Sequence, residues 1–368
     1  MVRHWMVIVL FCLCTSFRCA ADQYDKCDTI TFYDGQKFTI IGKFHDEKGY
    51  ARFPARYENL LRPEVWRRGQ RSAGISIFFY TNATDIVARW TIASETNNTY
   101  MATTGVRGID LYANVGGVWR FIQTGDPKGR TSEHVLLTER TPVYREFLLN
   151  LPLYDGVDSL SIGVNIGADI SKPVSSSFTG KPIVHYGSSI TQGACASRPG
   201  MAYTNILARK LGRSYINFGF NGQGTFDESV GQAMCEIDAA LYVVDCNPNT
   251  DETLIYDRAI KLVKQLKECQ PNVPVLLMEN YASTGEYFYK GYPDTQGNVN
   301  FVNKKQDELR KAFETLKKSG ITQLYYQEGK DLIGLDQEGT GDGSHPNDLG
   351  MFRIAEILFP TIKEILKE

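Results

Sequence analysis

The C-terminal half of the chain repeats one alternation, in which a short apolar run is followed by a longer stretch with apolar residues at helical spacing. The apolar runs predict five β-strands, at 183–186, 215–218, 241–245, 273–278 and 324–327. The longer stretches predict helices at 201–211, 253–269 and 303–318. Strands that alternate with helices build a parallel sheet with helices on both faces, so we expect a three-layer α/β/α domain.

The N-terminal half has the pattern of an all-β domain. Its predicted strands lie at 74–80, 86–92, 108–114, 118–123 and 144–151. Short strands at this spacing, with turn residues between them and no helical periodicity of any length, predict an antiparallel β-sandwich. A Ser-, Pro- and Gly-rich stretch at 171–180 separates the two patterns. We therefore expect a β-sandwich domain at 22–175 and an α/β domain at 176–368, and a length of 368 residues suits two domains.

The first 21 residues have the features of a secretory signal peptide. Basic residues precede an apolar run at 5–14, and small residues end the segment at Ala21, where we expect cleavage. The run is too short to span a bilayer, which needs about 20 residues. Cys19 admits lipid attachment as an alternative, although the bulky and charged residues before it suit that poorly. We expect a secreted or periplasmic protein without membrane insertion.

The net charge of the chain argues against some classes of binding partner, and its cysteines bear on disulfide formation. The leader contains two of the 40 basic residues and none of the 42 acidic ones, so the remaining chain has a net charge of −4. Nucleic acids and anionic membrane surfaces are therefore not expected as partners. An odd number of widely spaced cysteines does not make a disulfide scaffold, but one or two bridges remain possible in an oxidising compartment, and no pairing follows from the spacing. The cysteines after the leader are Cys27, Cys195, Cys235, Cys246 and Cys269.

Residues capable of chemistry follow four of the five predicted strands. They are the serine turn 187–193, the glycine loop 217–224, the asparagine loop 245–249 and the segment 341–347. Open α/β sheets bind ligands at the carboxyl ends of their strands, so these segments are expected to meet. Each has an ordinary alternative: a serine can cap a helix, and glycine and asparagine are common in turns. The glycine loop also lacks the spacing of a dinucleotide-binding motif.

Asp342 and His345 are three positions apart, a spacing that lets one local turn bring a carboxylate to an imidazole. The other histidines after the leader, His45, His134 and His185, have no such acid and are interpreted as structural. A serine, an acid and a histidine at the strand exits of one sheet supply nucleophile, orienting group and base for acyl transfer. An ordinary α/β-hydrolase fold is disfavoured because G-x-S-x-G is missing and the acid lies beside the histidine.

The four segments together resemble the conserved blocks of the SGNH (GDSL-type) hydrolase superfamily over roughly residues 181–368. The resemblance implies a flavodoxin-like α/β/α fold and esterase activity without metal or cofactor. It assigns Ser189 as the nucleophile and Asp342 and His345 as its partners. It builds the oxyanion hole from the N–H of Ser189, the N–H of Gly222 and the side chain of Asn249.

Two of these assignments require a choice between neighbours. Ser188 stands where the family usually has Asp, and the Ile-Thr pair after Ser189 identifies the second serine as the nucleophile. What orients the turn in place of that Asp is left open. Counting along the strand at 241–246 aligns Asn249, rather than Asn247, with the asparagine of the family.

The N-terminal half carries a second resemblance. The segment Gly108-Ile109-Asp110-Leu111-Tyr112 is similar to the G-x-D-L-Y signature of β-sandwich domains that precede certain bacterial SGNH esterases. Its position one domain upstream of the SGNH segments supports the pairing. Asp110 and Tyr112 themselves are interpreted as structural strand residues.

Export and the related two-domain enzymes imply a carbohydrate acetylesterase, whose partner is an acetylated poly- or oligosaccharide. Three aromatic residues after the fourth strand, Tyr281, Tyr287 and Tyr289, are expected at the same sheet edge. They could stack on sugar rings or simply pack within their loop. A lipid or lysophospholipid esterase is the enzymatic alternative. A catalytically inactive glycan-binding protein is the alternative from another functional class.

Overall fold

The structure, a computed structural model, describes residues 29–44, 47–174, 177–281 and 300–368, with the backbone alone at 300–303. Two antiparallel sheets are followed by one parallel sheet with flanking helices, which confirms the predicted fold class. Within these ranges, no helix combines the length and the apolar character needed to cross a bilayer.

The N-terminal half is a β-sandwich. Its strands are β1 (Ile30–Asp34), β2 (Thr39–Ile41), β3 (Ser76–Thr81), β4 (Asp85–Ile92), β5 (Ile109–Val115), β6 (Val118–Gly125), β7 (Thr131–Thr138), β8 (Arg145–Asn150), β9 (Val157–Asn165) and β10 (Ile170–Ser171). One sheet has the order β1-β9-β4-β7, and the other has β10-β3-β8-β5-β6 with β2 paired to β3. Alternate side chains of both sheets, including Trp90 and Phe147, pack into one apolar core between them.

The C-terminal half is built on five parallel strands. They are β11 (Ile183–Gly187), β12 (Tyr215–Gly219), β13 (Leu241–Asp245), β14 (Val275–Met278) and β15 (Leu324–Gln327). Their order, β12-β11-β13-β14-β15, is the flavodoxin-like order 2-1-3-4-5. The strand order reverses beside β11, so this sheet type places its ligand site at the end of that strand.

Helices cover both faces of the parallel sheet. The α-helices within the described ranges are α1 (Pro63–Gly69), α2 (Thr103–Val106), α3 (Ser189–Gln192), α4 (Tyr203–Leu211), α5 (Glu228–Cys235), α6 (Glu252–Cys269), α7 (Asn300–Lys318) and α8 (Asp348–Leu366). Successive strand residues point to opposite faces, and α5, α6 and α7 cover the face that carries Val184. The face that carries Ile183 packs against α4 and α8. Both faces are buried, as expected of a parallel sheet.

Part of the N-terminal half packs into the α/β core. Phe53 stacks on Phe218 with ring centroids 4.5 Å apart, and Phe44 and Tyr57 belong to the same buried cluster. The short helix α1 lies in this segment, and the sequence pattern did not indicate it. Seven residues are too few to show helical periodicity, although Pro63 at the helix start was an available signal.

The G-x-D-L-Y segment forms the polar part of the contact between the two halves. Asp110 is fully buried, and its carboxylate accepts hydrogen bonds from Arg198 and from the Gly200 N–H at 2.7 and 2.8 Å. The same Arg198 guanidinium donates to the Tyr112 hydroxyl at 2.6 Å. Both side chains therefore act structurally, by anchoring the sandwich to the α/β domain.

Candidate active site

The serine turn lies at the end of β11. Ser188 is fully buried, and its Oγ accepts a hydrogen bond from the Ile190 N–H at 3.2 Å. Ser188 is the N-cap of α3, and this hydrogen bond orients the serine turn in place of the Asp that the family usually has there. Ser189 is 5% exposed, and its Oγ lies 2.9 Å from His345 Nε2. The two serines thus have different surroundings, one bonded to the backbone and one to an imidazole.

His345 and Asp342 lie on one tight loop that leads into α8. The imidazole Nδ1 lies 2.7 Å from Asp342 Oδ2, and Asp342 Oδ1 accepts from the N–H groups of Ser344 and His345 at 2.9 and 2.6 Å. The Gly341 N–H donates to the His345 carbonyl, which closes the loop. Asn347 caps α8 just beyond it. The imidazole orientation is therefore fixed by local backbone contacts as well as by the carboxylate.

The protonation states follow from these contacts. Burial alone would raise the pKa of Asp342, but the hydrogen bonds from His345 and Ser344 hold it below its usual value. An ionised carboxylate can only accept, so His345 Nδ1 carries the imidazole proton. Nε2 is then an acceptor for the Ser189 hydroxyl, which is the arrangement a general base requires.

The glycine loop approaches the serine turn very closely. A Cβ at Gly224 would lie 2.1 Å from the Gly187 carbonyl oxygen, so only glycine fits there. Gly222 has a positive φ of 69°, and its N–H has no hydrogen-bond partner in the described part of the chain. Ser189 is the first residue of α3, where no preceding turn accepts its N–H. Both N–H groups are therefore available to a ligand.

The two candidate asparagines differ in what their amides already bind. Asn247 is fully buried, and its Nδ2 donates to Asn280 Oδ1 at 2.8 Å. Asn249 is half-buried, and its Oδ1 accepts from the Gly224 N–H at 3.2 Å. This bond orients the Asn249 amide and leaves Nδ2 without a partner among the described residues. Asn249 can therefore donate to a ligand, whereas Asn247 is already engaged.

A buried polar chain supports the serine turn from below. The Thr191 hydroxyl donates to Asp245 Oδ2 at 3.0 Å and pairs with the Tyr203 hydroxyl, which in turn contacts His185 Nε2. Burial raises the pKa of Asp245 to about 8, against the effect of hydrogen bonds from Thr191 and Tyr203. Burial also lowers the pKa of His185 to about 3, so the imidazole is neutral. The sequence analysis assigned no role to Asp245, although its position at the end of a predicted strand was a signal that could have identified it.

The protonated state of Asp245 predicts a pH-dependent stability. The unfolded carboxyl loses its proton near pH 4, but the folded one keeps it to about pH 8. The folded state binds more protons in this window, so the free energy of unfolding falls as pH rises. Asp245→Asn keeps an acceptor for Thr191 and does not titrate. We expect the melting temperature of the variant, relative to wild type, to rise by at least about 2 °C between pH 5 and pH 8. A difference that stays constant with pH would contradict this.

The three tyrosines predicted to bind substrate and the remaining histidines do not add a contact to the candidate site among the described residues, except Tyr281. Tyr281 is 5% exposed, and its hydroxyl donates to the Ser344 carbonyl at 2.7 Å, so it supports the histidine loop and offers no free ring face. Tyr287, Tyr289 and His45 lie outside the described residues. His134 is half-buried on β7 of the sandwich.

Cys195 lies beside the acid and histidine. Ligand atoms of Cys195, Asp342 and His345 are within 4.8 Å of one another, a spacing a metal ion could use. Burial and the Asp342 charge raise the pKa of the thiol to about 12, so in the absence of a metal the thiol is protonated at neutral pH. The other two groups already bind each other. These residues therefore fit acid–base chemistry better than metal binding.

A disulfide joins the end of α5 to the end of α6. It links Cys235 and Cys269, which are 34 positions apart. Cys195 and Cys246 are free, and Cys27 lies outside the described residues.

Two family models match the chain. The GDSL-like lipase/acylhydrolase family matches residues 180–363. The GxDLY family, described as the N-terminus of Esterase_SGNH_hydro-type, matches residues 30–170. A search of curated proteins found no match.

Several solved structures are similar over nearly the whole chain. A crystal structure from Bacteroides ovatus ATCC 8483, described as a GDSL-like lipase, has a TM-score of 0.86 and 34% identity, covering 92% of this chain and 98% of that chain. The salicylyl-acyltransferase SsfX3 from a tetracycline biosynthetic pathway has a TM-score of 0.73 and 17% identity, covering 91% and 97%. A family two carbohydrate esterase from Cellvibrio japonicus has a TM-score of 0.60 and 11% identity, covering 92% and 98%. The last two similarities concern the fold alone.

Proposed function

The chain belongs to the GDSL-like lipase/acylhydrolase family, and from this membership we propose that it is a serine esterase with Ser189, His345 and Asp342 as its catalytic triad. One observation carries the proposal. Ser189 Oγ lies 2.9 Å from His345 Nε2, and Nδ1 of the same ring lies 2.7 Å from Asp342 Oδ2. The serine thus contacts a base, and the base is oriented by a carboxylate, which is the arrangement that an activated serine needs.

The reaction begins when Ser189 Oγ attacks the ester carbonyl carbon and its proton passes to His345 Nε2. The carbonyl π electrons move to the oxygen, which becomes an oxyanion. Asp342 stabilises the imidazolium that forms. Collapse of the intermediate breaks the bond to the alcohol, which takes the proton from His345 and leaves. Water then repeats the sequence on the acyl-enzyme and releases the carboxylic acid.

The oxyanion is stabilised by donors that are in place before the reaction begins. We assign this role to the N–H groups of Ser189 and Gly222 and to Asn249 Nδ2. Their lack of other partners among the described residues supports the assignment. Donors fixed in advance stabilise developing charge without having to reorganise.

We propose an O-acetylated carbohydrate as the substrate and an exported enzyme. The disulfide between Cys235 and Cys269 supports export, because such bonds persist in oxidising compartments. The leader-like segment at 1–21 supports it independently. The carbohydrate substrate is supported by family two carbohydrate esterases of the same fold, one of them from Clostridium thermocellum in complex with cellohexaose.

The substrate proposal is tested with nitrophenyl esters of increasing acyl length and with acetylated xylan, pectin and xyloglucan. We expect acetate release from at least one polysaccharide, and we expect kcat/KM to be at least about tenfold higher for the acetate ester than for the decanoate. Ser189→Ala supplies the background. A kcat/KM that rises with acyl length would favour a lipid esterase. Polysaccharide binding without cleavage of any ester would favour a glycan-binding protein.

A further inference from the structure

A surface arginine of the N-terminal half, Arg62, forms several hydrogen bonds with the loop that contains Gly222. The Arg62 side chain makes a two-point contact with Asp227, from Nε to Oδ1 at 2.7 Å and from Nη2 to Oδ2 at 3.0 Å. It also reaches Gln223, donating from Nη1 to the side-chain oxygen at 2.7 Å and from Nη2 to the carbonyl oxygen at 3.2 Å. A further bond joins Nη2 to Thr225 Oγ1 at 3.1 Å. One guanidinium thus holds three residues of a single loop.

The position of Gln223 makes this contact important. It lies between Gly222, whose N–H is unpaired among the described residues, and Gly224, whose N–H orients Asn249. The Gln223 N–H donates to the Phe220 carbonyl oxygen at 2.8 Å, which closes the turn that contains the Gly222 peptide. Its orientation therefore depends on how its neighbours are held. Arg62 binds the residue between Gly222, one proposed oxyanion donor, and Gly224, which orients a second one, Asn249.

The other end of the loop is also held through the N-terminal half. The Asn221 N–H donates to Gln192 Oε1 at 2.9 Å, while Gln192 Nε2 donates to the Leu153 carbonyl at 2.9 Å. Arg52 is fully buried and donates to the carbonyls of Asn217 and Gly219 at the end of β12. The loop is thus anchored before Gly222 by these contacts and after it by Arg62.

We propose that Arg62 is a positioning residue for the oxyanion hole, holding the Gln223 peptide so that Gly222 and Asn249 present their donors to the same atom. This inference rests on the proposed function, because it assumes that those donors bind the oxyanion. It assigns the N-terminal half a part in catalysis that a detachable binding module would not have. An arginine suits the task, since its planar fork fixes several acceptors at once, which a lysine ammonium cannot do.

The experiment compares Arg62→Ala with Arg56→Ala. Arg56 is a matched control because it lies in the same segment, is similarly exposed (51% against 43%) and also bridges to the C-terminal half, through Glu236. Glu236 directly follows α5 and is not part of the glycine loop. For each variant, kcat and KM on nitrophenyl acetate are measured together with the melting temperature. Arg62→Lys is included as the conservative variant.

We expect Arg62→Ala to lower kcat by about tenfold, less than direct loss of an oxyanion donor, with KM within about twofold. Arg62→Lys should have a kcat between those of Arg62→Ala and wild type. Arg56→Ala should have the kcat of wild type, while its melting temperature falls by about as much as that of Arg62→Ala. Equal kcat losses in both alanine variants, or an unchanged kcat in Arg62→Ala, would overturn the inference. Ser189→Ala distinguishes a failure of the proposed function from a failure of the Arg62 inference. If Ser189→Ala stays active, the proposed function fails as well. If Ser189→Ala is inactive while Arg62→Ala has normal kcat, only the inference about Arg62 fails.

Discussion

Ser189→Ala is expected to lower kcat on nitrophenyl acetate by at least about 10⁴-fold, because loss of a triad nucleophile leaves only the contribution of binding and the oxyanion hole. The Oγ that lies 2.9 Å from His345 Nε2 is the only atom changed. The variant should bind substrate almost as well as wild type. Its melting temperature should change little, since the hydroxyl contributes no other hydrogen bond among the described residues.

Ser188→Ala is the control for this result. Ser188 Oγ accepts the Ile190 N–H and caps α3, so its removal should cost about 1 kcal/mol of stability and less than about tenfold in kcat. Both variants are assayed on the same ester, and their melting temperatures are compared. An active Ser189→Ala with an inactive Ser188→Ala would show that the nucleophile is the other serine.

Asn249→Ala is expected to lower kcat by about 10² to 10³, the usual effect of losing one oxyanion donor. Asn249→Asp keeps the oxygen that accepts from the Gly224 N–H, but it replaces the donor with a negative charge beside the oxyanion, so its kcat should fall further. Both should affect kcat far more than KM. A KM effect with unchanged kcat would instead indicate that Asn249 binds the ground state.

Asn247→Ala provides the comparison for Asn249. Asn247 is buried and bonded to Asn280, so its loss should lower the free energy of unfolding by about 1 to 3 kcal/mol and leave kcat within about tenfold of wild type. If Asn247→Ala lost kcat and Asn249→Ala did not, the donor assignment would be reversed. Thermal unfolding of both variants separates a catalytic loss from a folding loss.

The sequence was most informative where the relevant signal is local. The strands at 241–245 and 324–327 have the bounds expected from their apolar runs, and both family resemblances are confirmed. The serine turn, the glycine loop and the asparagine loop could be located because they follow directly after strands, and parallel strands bring their carboxyl ends to one edge. The Asp342 and His345 pair was visible for a different reason, because residues three positions apart can meet within one turn.

What sequence reasoning missed depends on contacts between distant parts of the chain. Arg62 and Asp227 are 165 positions apart, and no periodicity links a charged residue in one half to an acid in the other. The high pKa of Asp245 arises from burial under the serine turn, which only the assembled sheet creates. The pairing of Cys235 with Cys269 follows from the packing of α5 against α6, because spacing alone allows several pairings.

The aromatic contact between Phe53 and Phe218 has a consequence for how such chains can evolve. A gene fragment encoding only residues 176–368 would leave Phe218 on the edge strand β12 without its contact to Phe53, and the end of β12 without Arg52. Recombination that exchanged the sandwich for an unrelated module would do the same. The two halves are therefore expected to be inherited together.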